Sequence, residues 1–287
     1  MKKIVFALSM AAGAVLFNSC EEIDGDFYRV ITVDERCEPF VFDPTPENPK
    51  RNILVEDFTG HQCPNCPAAA ETAATLEEEN NGQVIVMAIH PTGVFSKLTP
   101  PTFVYDFTTP SGDEIADNFG VSGLPAGMVN RTEYDGKTVL GRSRWTPAVN
   151  AALDLPAIAY VEVQARYQES DDAILCIDTK VDMLTDYNTD IIVYSAIVES
   201  EINQPQLDGS VTDVNYIHNH VLRESPLGAL GVPLGASPYS STDEFTQRIS
   251  LTKGADWVAG NLKIISFIYD KNTFEILQVA ENHVEVE

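Results

Sequence analysis

The stretch TGHQCPNCPAAA at residues 59–70 decides how the first half of the chain folds. It follows the mostly apolar run ILVEDF (53–58), which is typical of a buried strand. A segment rich in alanine and glutamate comes next and stops at Asn80-Asn81-Gly82, so we predict a helix there. QVIVMAIH (83–90) indicates a second buried strand. The short links between these elements predict two parallel strands joined by a right-handed crossover.

The spacing of Cys63 and Cys66 suits a redox pair, a metal site or a short structural disulfide. We expect Cys63 at or just before the helix N-terminus, with Pro64 in the first turn, where the helix dipole favours a thiolate. Cys66, one turn later, is then close enough to attack a mixed disulfide on Cys63. A zinc site needs four ligands, and the sequence has no second C-x-x-C, although His61 and His90 follow or end neighbouring strands. We therefore expect no metal. A structural disulfide that closes so short a loop also adds little stability.

The remainder of the first half predicts a β-α-β-α-β-β-α order. Residues 91–112 are irregular, with many prolines and aromatics, and read as an insertion that covers part of the unit. GDEIADNFG predicts a short helix, and Asp135-Gly136 between two strand-like runs predicts a hairpin. A helix in WTPAVNAALDL (145–155) closes the unit.

After Leu155 the apolar residues recur with a period of two, which is typical of strands with one buried face. About seven strands in some 130 residues predict a β-sandwich of the immunoglobulin or fibronectin type III kind. The clearest strand patterns lie at residues 157–167, 173–183, 190–199, 245–251, 261–269 and 275–281. Cys176 falls on the face opposite the apolar set, so it should point away from the sandwich core. We interpret His218 and His220 either as one solvated strand face or as part of a packed loop.

The N-terminus predicts export. Residues 1–19 combine two lysines with an apolar run too short to span a membrane, as in a secretory signal. The ending LFNSC resembles a lipobox, which predicts lipidation of Cys20 and membrane anchoring without crossing, unless Cys20 is incidental to an ordinary signal. Outside the cytoplasm disulfides persist. Cys37 and Cys176 therefore either pair, strapping the tether to the second half, or leave Cys176 as a partly covered free thiol.

Charge excludes one class of partner. The formal net charge is −25, and loss of Lys2 and Lys3 with the signal would make it more negative still. Such a field repels phosphate backbones, so we expect no nucleic acid partner. The proline-bearing residues 20–51 predict an extended tether, with an ordered piece around residues 27–33 that could pair with a sheet edge.

Residues 53–67 resemble the thioredoxin active-site strand, turn and helix, and FGVSGLP (119–125) resembles the thioredoxin segment that ends in a cis-proline. The resemblance implies that Asp57 exchanges a proton with Cys66, and that a cis Pro125 faces the cysteines. It also implies that the Leu124 backbone docks an extended substrate. Beside the thiols, His61 and Gln62 are further candidates for substrate contact. Gln62 departs from the tryptophan usual in that family, and Pro64-Asn65 departs from Gly-Pro.

As a whole, the chain is similar to the Omp28-related outer membrane lipoproteins of the Bacteroidetes group. EDFTGHQCPNCP, GLPAGMVNR, YIHNHVLR and ILQVAE carry this likeness, together with the signal and Cys20. It implies an outer-membrane location, on the periplasmic or the cell-surface face, and a thioredoxin-like domain followed by a β-rich one.

We therefore predict a signal at 1–19, a lipidated tether at 20–51, a thioredoxin-like domain at 52–155 and a β-sandwich domain at 156–287. The first functional hypothesis is thiol–disulfide exchange on extracytoplasmic proteins, with no cofactor. The alternative is a surface binding or adhesion lipoprotein that uses the thioredoxin fold as a scaffold around a permanently closed disulfide.

Overall fold

The computed structural model describes residues 33–169 and 173–287, in which it places three α-helices and sixteen strands. The helices are α1 (Cys66–Glu79), α2 (Pro110–Asn118) and α3 (Trp145–Ala152). The strands are β1 (Ile53–Phe58), β2 (Val84–Ile89), β3 (Ala126–Val129), β4 (Ala159–Gln168), β5 (Ile174–Met183), β6 (Ile191–Glu199), β7 (Ile202–Asn203), β8 (Gln206–Asp208), β9 (Val211–Asp213), β10 (Ile217–His218), β11 (Val221–Glu224), β12 (Val232–Pro233), β13 (Glu244–Thr252), β14 (Leu262–Asp270), β15 (Ile276–His283) and β16 (Glu285–Val286). The predicted signal, Cys20 and all of the predicted N-terminal ordered piece except Val33 lie outside the described residues.

The predicted strand–helix–strand unit is confirmed. Strands β1 and β2 run parallel, and α1 connects them. Every residue of both strands is buried, which explains their continuous apolar runs. Helix α1 buries Cys66, Ala69, Ala73 and Leu76, whose spacing of three or four residues puts them on one face.

The start of α1 differs from the prediction. The helix begins at Cys66 with Asn65 as its N-cap, and Pro67 rather than Pro64 occupies the first turn. Cys63 lies before the helix, in a turn closed by a hydrogen bond from the Cys66 N–H to the Cys63 carbonyl. Pro64 takes the second position of this turn, which its fixed φ suits.

The Asp135-Gly136 turn is confirmed, because both residues have positive φ, 51° and 72°. The second strand predicted for this hairpin is reduced to two isolated bridges, Lys137 with Tyr134 across the turn and Leu140 with Gly127 of β3. Helix α3 packs directly on this region: a Cβ on Gly127 would lie 2.6 Å from the Trp145 ring. Glycine at this position lets the buried indole reach the sheet.

The main sheet joins both predicted halves of the chain. Its strands follow the order β15-β14-β6-β11-β2-β1-β3, and β12 adds to β6. Strand β11 makes the connection, because it pairs with β2 through Val221 and Ala88 and runs antiparallel to β6. The domain limits given above stay a prediction, but the strands on the two sides of residue 155 share one hydrogen-bonded sheet.

The six strand patterns predicted in the second half are confirmed as β4, β5, β6, β13, β14 and β15. Strands β13, β5, β4 and β16 form a separate four-stranded sheet. A hydrophobic core of residues from β4 and β5 and from β6 and β14 lies between this sheet and the main one. The result is an α/β unit continued by a two-layer β arrangement.

Cys37 and Cys176 form a disulfide, so of the two alternatives that the sequence left open for Cys176, pairing is the one observed. Cys176 lies outside the core between the sheets, in a small cluster with Cys37, Ile174, Val33 and Phe40. The Arg248 guanidinium donates a 2.6 Å hydrogen bond to the Cys37 carbonyl. The residues before β1 are thereby strapped to the four-stranded sheet.

We expect the double variant Cys37→Ala/Cys176→Ala to be strongly destabilised, because its disulfide spans 139 residues. Loop-closure entropy assigns such a cross-link about 5 kcal/mol, against about 2 kcal/mol for the three-residue separation of Cys63 and Cys66. Urea unfolding under non-reducing conditions measures both losses, with Cys63→Ala/Cys66→Ala as the matched control. Equal losses in the two double variants would contradict this assignment.

Candidate thiol site at the end of strand β1

Cys63 and Cys66 form a disulfide between the end of β1 and the start of α1. Their Cα atoms are 5.4 Å apart. Two backbone hydrogen bonds shape the turn, from Cys63 N–H to the Gly60 carbonyl and from Cys66 N–H to the Cys63 carbonyl. Each cysteine is only 1% exposed. The sequence therefore predicted the location of the pair, but not its burial.

Asp57 lies on β1, the strand that leads to the cysteine loop, and it is 2% exposed. It lines the same pocket as Cys66. Burial disfavours the charged carboxylate and raises the pKa of Asp57 to about 7. Its Oδ1 atom has no hydrogen-bond partner among the described residues. A carboxyl of this kind can gain or lose a proton near neutral pH beside the sulfur of Cys66.

The Leu124–Pro125 peptide bond is cis. Pro125 directly precedes β3, and Ala126 at the start of β3 pairs with Phe58 at the end of β1. This register brings Pro125 to the same edge of the sheet as the segment that leads to the cysteines. Leu124 is half-buried and packs against the main-sheet core. An open groove runs beside it, between residues 91–95 and 121–124.

Residues 91–109, the first part of the predicted insertion, pack on the loop before Cys63. The Gln62 N–H donates to the Phe95 carbonyl at 2.9 Å, and a Cβ on Gly60 would lie 2.8 Å from that same carbonyl. His61 is 1% exposed, with its ring stacked 5.1 Å from that of Phe103. The side-chain amide of Gln62 bonds to the Lys97 carbonyl. In this conformation His61 and Gln62 contact the insertion, and their role in substrate contact stays a prediction.

A hairpin from the second half covers the cysteines from the other side. This hairpin consists of β8 and β9 at residues 206–213, and we call it the cap. The Leu207 N–H donates to the His61 carbonyl at 2.8 Å, and the Gly209 N–H donates to the Pro64 carbonyl at 2.9 Å. The buried Gln206 amide donates to the carbonyls of Gly60 and Cys63 at 3.3 and 3.2 Å. Sequence reasoning missed the cap, although its Asp-Gly pair at 208–209 is a hairpin signal.

Three histidines meet beside the pair, around the ring of Phe107. The Phe107 centroid lies 5.6 Å from His61, 4.7 Å from His90 and 4.5 Å from His218. The sequence placed His61 and His90 near the cysteines, but it assigned His218 to the other half of the chain. Burial lowers the pKa of all three rings, to about 4 for His218. Within residues 33–169 and 173–287, no group of three such side chains has the arrangement of a metal site.

Comparison with known proteins gives one family and a shared fold. The family model for outer membrane protein Omp28 matches residues 112–287. No curated protein matches the chain. Among solved structures, HBP35 of Porphyromonas gingivalis is 16% identical with a TM-score of 0.63, over 82% of this chain and 76% of that one. At this identity the likeness shows a common fold alone.

A domain of the outer membrane lipoprotein Omp28 from Porphyromonas gingivalis is 22% identical. That likeness covers 47% of this chain and 94% of the domain, with a TM-score of 0.30. In the part of the chain that the structure describes, no helix has the length and apolar content needed to cross a bilayer.

We expect Asp57→Asn to remove a pH dependence of stability. The folded chain keeps Asp57 protonated up to about pH 7, whereas the unfolded chain ionises it above about pH 4. Stability from the neutral carboxyl is therefore complete below about pH 4, and it is lost as the pH rises towards 7. Between pH 5 and pH 8 the wild type should lose about 2–3 kcal/mol relative to Asp57→Asn.

Urea unfolding at several pH values measures this difference. Asp154→Asn serves as the control, because Asp154 is exposed at the end of α3. If the stabilities of the wild type and Asp57→Asn run parallel from pH 5 to pH 8, Asp57 has an ordinary pKa in the folded chain.

Proposed function

Because the chain belongs to the Omp28 family of outer membrane proteins, we propose that it is a lipid-anchored protein that performs thiol–disulfide exchange on extracytoplasmic proteins. One observation carries the proposal: Cys66 of the Cys63–Cys66 disulfide lines the same pocket as the buried carboxyl of Asp57, whose pKa is raised to about 7. Buried acids with shifted pKa values cluster at sites of proton transfer. Lipidation at Cys20 would hold the protein on the membrane surface.

We propose in addition that residues 52–155 form a thioredoxin-like unit, which would suit this function, and the following features support that. Parallel β1 and β2, antiparallel β3, and a cis-proline directly before β3 follow the expected order. Helices α1 and α3 pack together on one face of these strands, while Ile115 and Ala116 of α2 pack on the other. This arrangement brings the end of β1, the start of α1 and the cis Pro125 to one edge.

The exchange reaction balances with a partner dithiol and needs no cofactor. A partner thiolate attacks the Cys63 sulfur, and a mixed disulfide forms while the Cys63–Cys66 bond breaks. Cys66 leaves as a thiolate and takes the proton of Asp57. The second partner thiolate then attacks the partner's own sulfur and releases Cys63 as a thiolate. The partner loses two electrons to the cysteine pair, and the reverse sequence reduces a partner disulfide.

Access to Cys63 requires the cap to move. The cap is held over the cysteines by two backbone bonds and by the Gln206 amide, whereas Asp208, Gly209 and Val211 at its tip are exposed. Hydrogen bonds of this kind contribute about 1 kcal/mol each, so opening the cap costs only a few kcal/mol. The covered state can therefore coexist with a minor open state that exchanges.

Burial of the cysteines favours a second candidate function. With Cys63 and Cys66 each 1% exposed, the disulfide could stay closed and hold the loop in shape. The chain would then act as a surface binding or adhesion lipoprotein, with the insertion and the β-rich half available to a partner. The two functions differ in whether a dithiol opens the Cys63–Cys66 bond in the folded protein.

Trapping of mixed disulfides tests the roles of the two cysteines. On incubation of the folded variants with oxidised glutathione at pH 7, we expect about tenfold more adduct on Cys66→Ser than on Cys63→Ser. The reason is that Cys63 lies in the turn outside the helix, whereas Cys66 faces the buried pocket. Mass spectrometry measures the adducts, and equal labelling would contradict the assigned roles. A wild-type disulfide that neither glutathione nor thioredoxin opens would favour the scaffold function.

Weakening the cap should speed reduction of the pair. Gln206→Ala removes the donors to the Gly60 and Cys63 carbonyls, so we expect dithiothreitol to reduce the disulfide about tenfold faster. Gln247→Ala is the matched control, because its amide bonds to the carbonyl of Arg248 on β13, in the four-stranded sheet. Quenched alkylation followed by mass analysis gives the rates. An unchanged rate in Gln206→Ala would mean that exchange does not pass through an open cap.

A further inference from the structure

The pocket lined by Cys66 and Asp57 also contains His90, a buried polar side chain that the proposed reaction does not use. In the sheet register Asp57 pairs with Ala88 of β2, and His90 follows Ala88 by two residues. The register puts Ala88 on the same face of the sheet as Asp57, and His90, one residue past the end of β2, lines the same pocket as Asp57. Helix α1 covers this side, and both side chains line one pocket with Cys66.

The pocket also reaches the loop between β9 and β11. The partly exposed Tyr216 and His220 line it together with the buried His218, and its volume is about 80 Å³. His220 is partly exposed, with its Nε2 atom 3.3 Å from a carboxylate oxygen of Glu77 on α1. The pocket thus extends from the buried Asp57 to partly exposed residues at the protein surface.

Several buried atoms in the pocket have no partner. Both ring nitrogens of His90 and the Oδ1 atom of Asp57 make no hydrogen bond within the described residues. His90 is 3% exposed, so bulk water does not reach its ring. Buried polar atoms are almost always hydrogen-bonded, to protein or to ordered water. The pocket, with a volume of about 80 Å³, has room for water.

We propose that water molecules fill this pocket and that His90 positions them, so that the proton of Asp57 exchanges with solvent along the pocket. The proposal rests on the proposed function in one respect: thiol exchange is the reaction that gives Asp57 a proton to release. In the reverse reaction, in which the reduced pair acts on a partner disulfide, Cys66 passes its proton to Asp57, so that the carboxylic acid forms and a thiolate remains. The acid then transfers the proton to an adjacent water, and the carboxylate is restored.

A neutral His90 suits this role. Burial, with repulsion from neighbouring positive groups, lowers the pKa of His90 well below its usual range. A neutral imidazole has one donor and one acceptor nitrogen, so it can hydrogen-bond water on both sides. The charged or titratable groups that face His90 are His61 after β1, His218 on β10 and Arg223 on β11. Asp57 in turn faces Tyr216, whose pKa rises through burial and through nearby carboxylates that include Asp57.

The test compares three variants of the full chain in its oxidised form. His90→Phe replaces the polar ring by an apolar one, and His90→Gln restores a side chain that can hold water. His283→Phe is the matched control, because His283 is exposed at the end of β15. The ¹³C chemical shift of the Asp57 carboxyl, followed against pH, measures its pKa in each variant.

We expect His90→Phe to raise the pKa of Asp57 by about one unit, because loss of the water disfavours the carboxylate further. His90→Gln should return it towards the wild-type value, and His283→Phe should leave it unchanged. An unchanged pKa of Asp57 in folded His90→Phe overturns the proposal. If His90→Phe fails to fold, magnetisation transfer from water to the His90 ring protons of the unchanged protein decides the question. Absence of that transfer also overturns the proposal.

The rate of reduction by dithiothreitol separates this proposal from the proposed function. If the pair exchanges, the inflection of the rate near pH 7 should move with the pKa of Asp57 in His90→Phe and return in His90→Gln. If dithiothreitol does not reduce the cysteine pair but the pKa of Asp57 changes in His90→Phe, thiol exchange is contradicted and the hydrated pocket is supported. If the cysteine pair is reduced but the pKa of Asp57 is the same in the wild type and His90→Phe, thiol exchange is supported and proton transfer through the pocket is contradicted.

Discussion

The pairing of β11 with β2 is the contact on which the geometry of the site depends. Strand β11 also pairs with β6, so one sheet runs from the cysteine-bearing unit into the β-rich half. The segment between β6 and β11 starts and ends at strands of this sheet, and it contains both the cap and His218. Because both ends are fixed, the cap stays at a high effective concentration over the cysteines even when its own hydrogen bonds break. The Ala88 N–H, which donates to the His220 carbonyl at 2.8 Å, reinforces this junction.

Two neighbouring acids on β1 have opposite surroundings, and the difference follows from strand alternation. Glu56 points to one face, where the buried Arg131 guanidinium donates to both its carboxylate oxygens at 2.7 and 2.9 Å. Asp57 points to the other face, where no cation among the described residues pairs with it, and burial raises its pKa. A buried bidentate pair satisfies its charges, whereas an unpaired acid lowers stability at neutral pH. The sheet therefore places a structural acid and a titratable acid in adjacent positions.

Sequence patterns predicted the features that neighbouring residues determine, namely strand faces and turns. The period of two in β4 and β5 placed Cys176 outside the core between the sheets, and the Asp135-Gly136 pair located its turn. Hydrophobic periodicity does not encode which strands become neighbours, so the pairing through the four-residue β11 was missed. The cap strands span only three residues each and are held by backbone groups of the cysteine loop, about 140 residues earlier. The burial of Cys63 and the position of His218 result from these long-range contacts, which no local pattern reveals.

The two disulfides suit different purposes. The Cys37–Cys176 bond closes a long loop and straps the N-terminal residues to a sheet, which is where a cross-link stabilises a chain most. The Cys63–Cys66 bond closes a three-residue separation and restricts the unfolded chain little. It also stands beside Asp57, whose ionisation in the folded state reduces stability as the pH approaches neutrality. A disulfide with a purely structural role has no use for a neighbouring acid that lowers stability. A cysteine that gives and receives a proton during exchange does need such an acid. A short-range disulfide that adds little stability, next to an acid that lowers it, is therefore an argument for the proposed exchange at this pair.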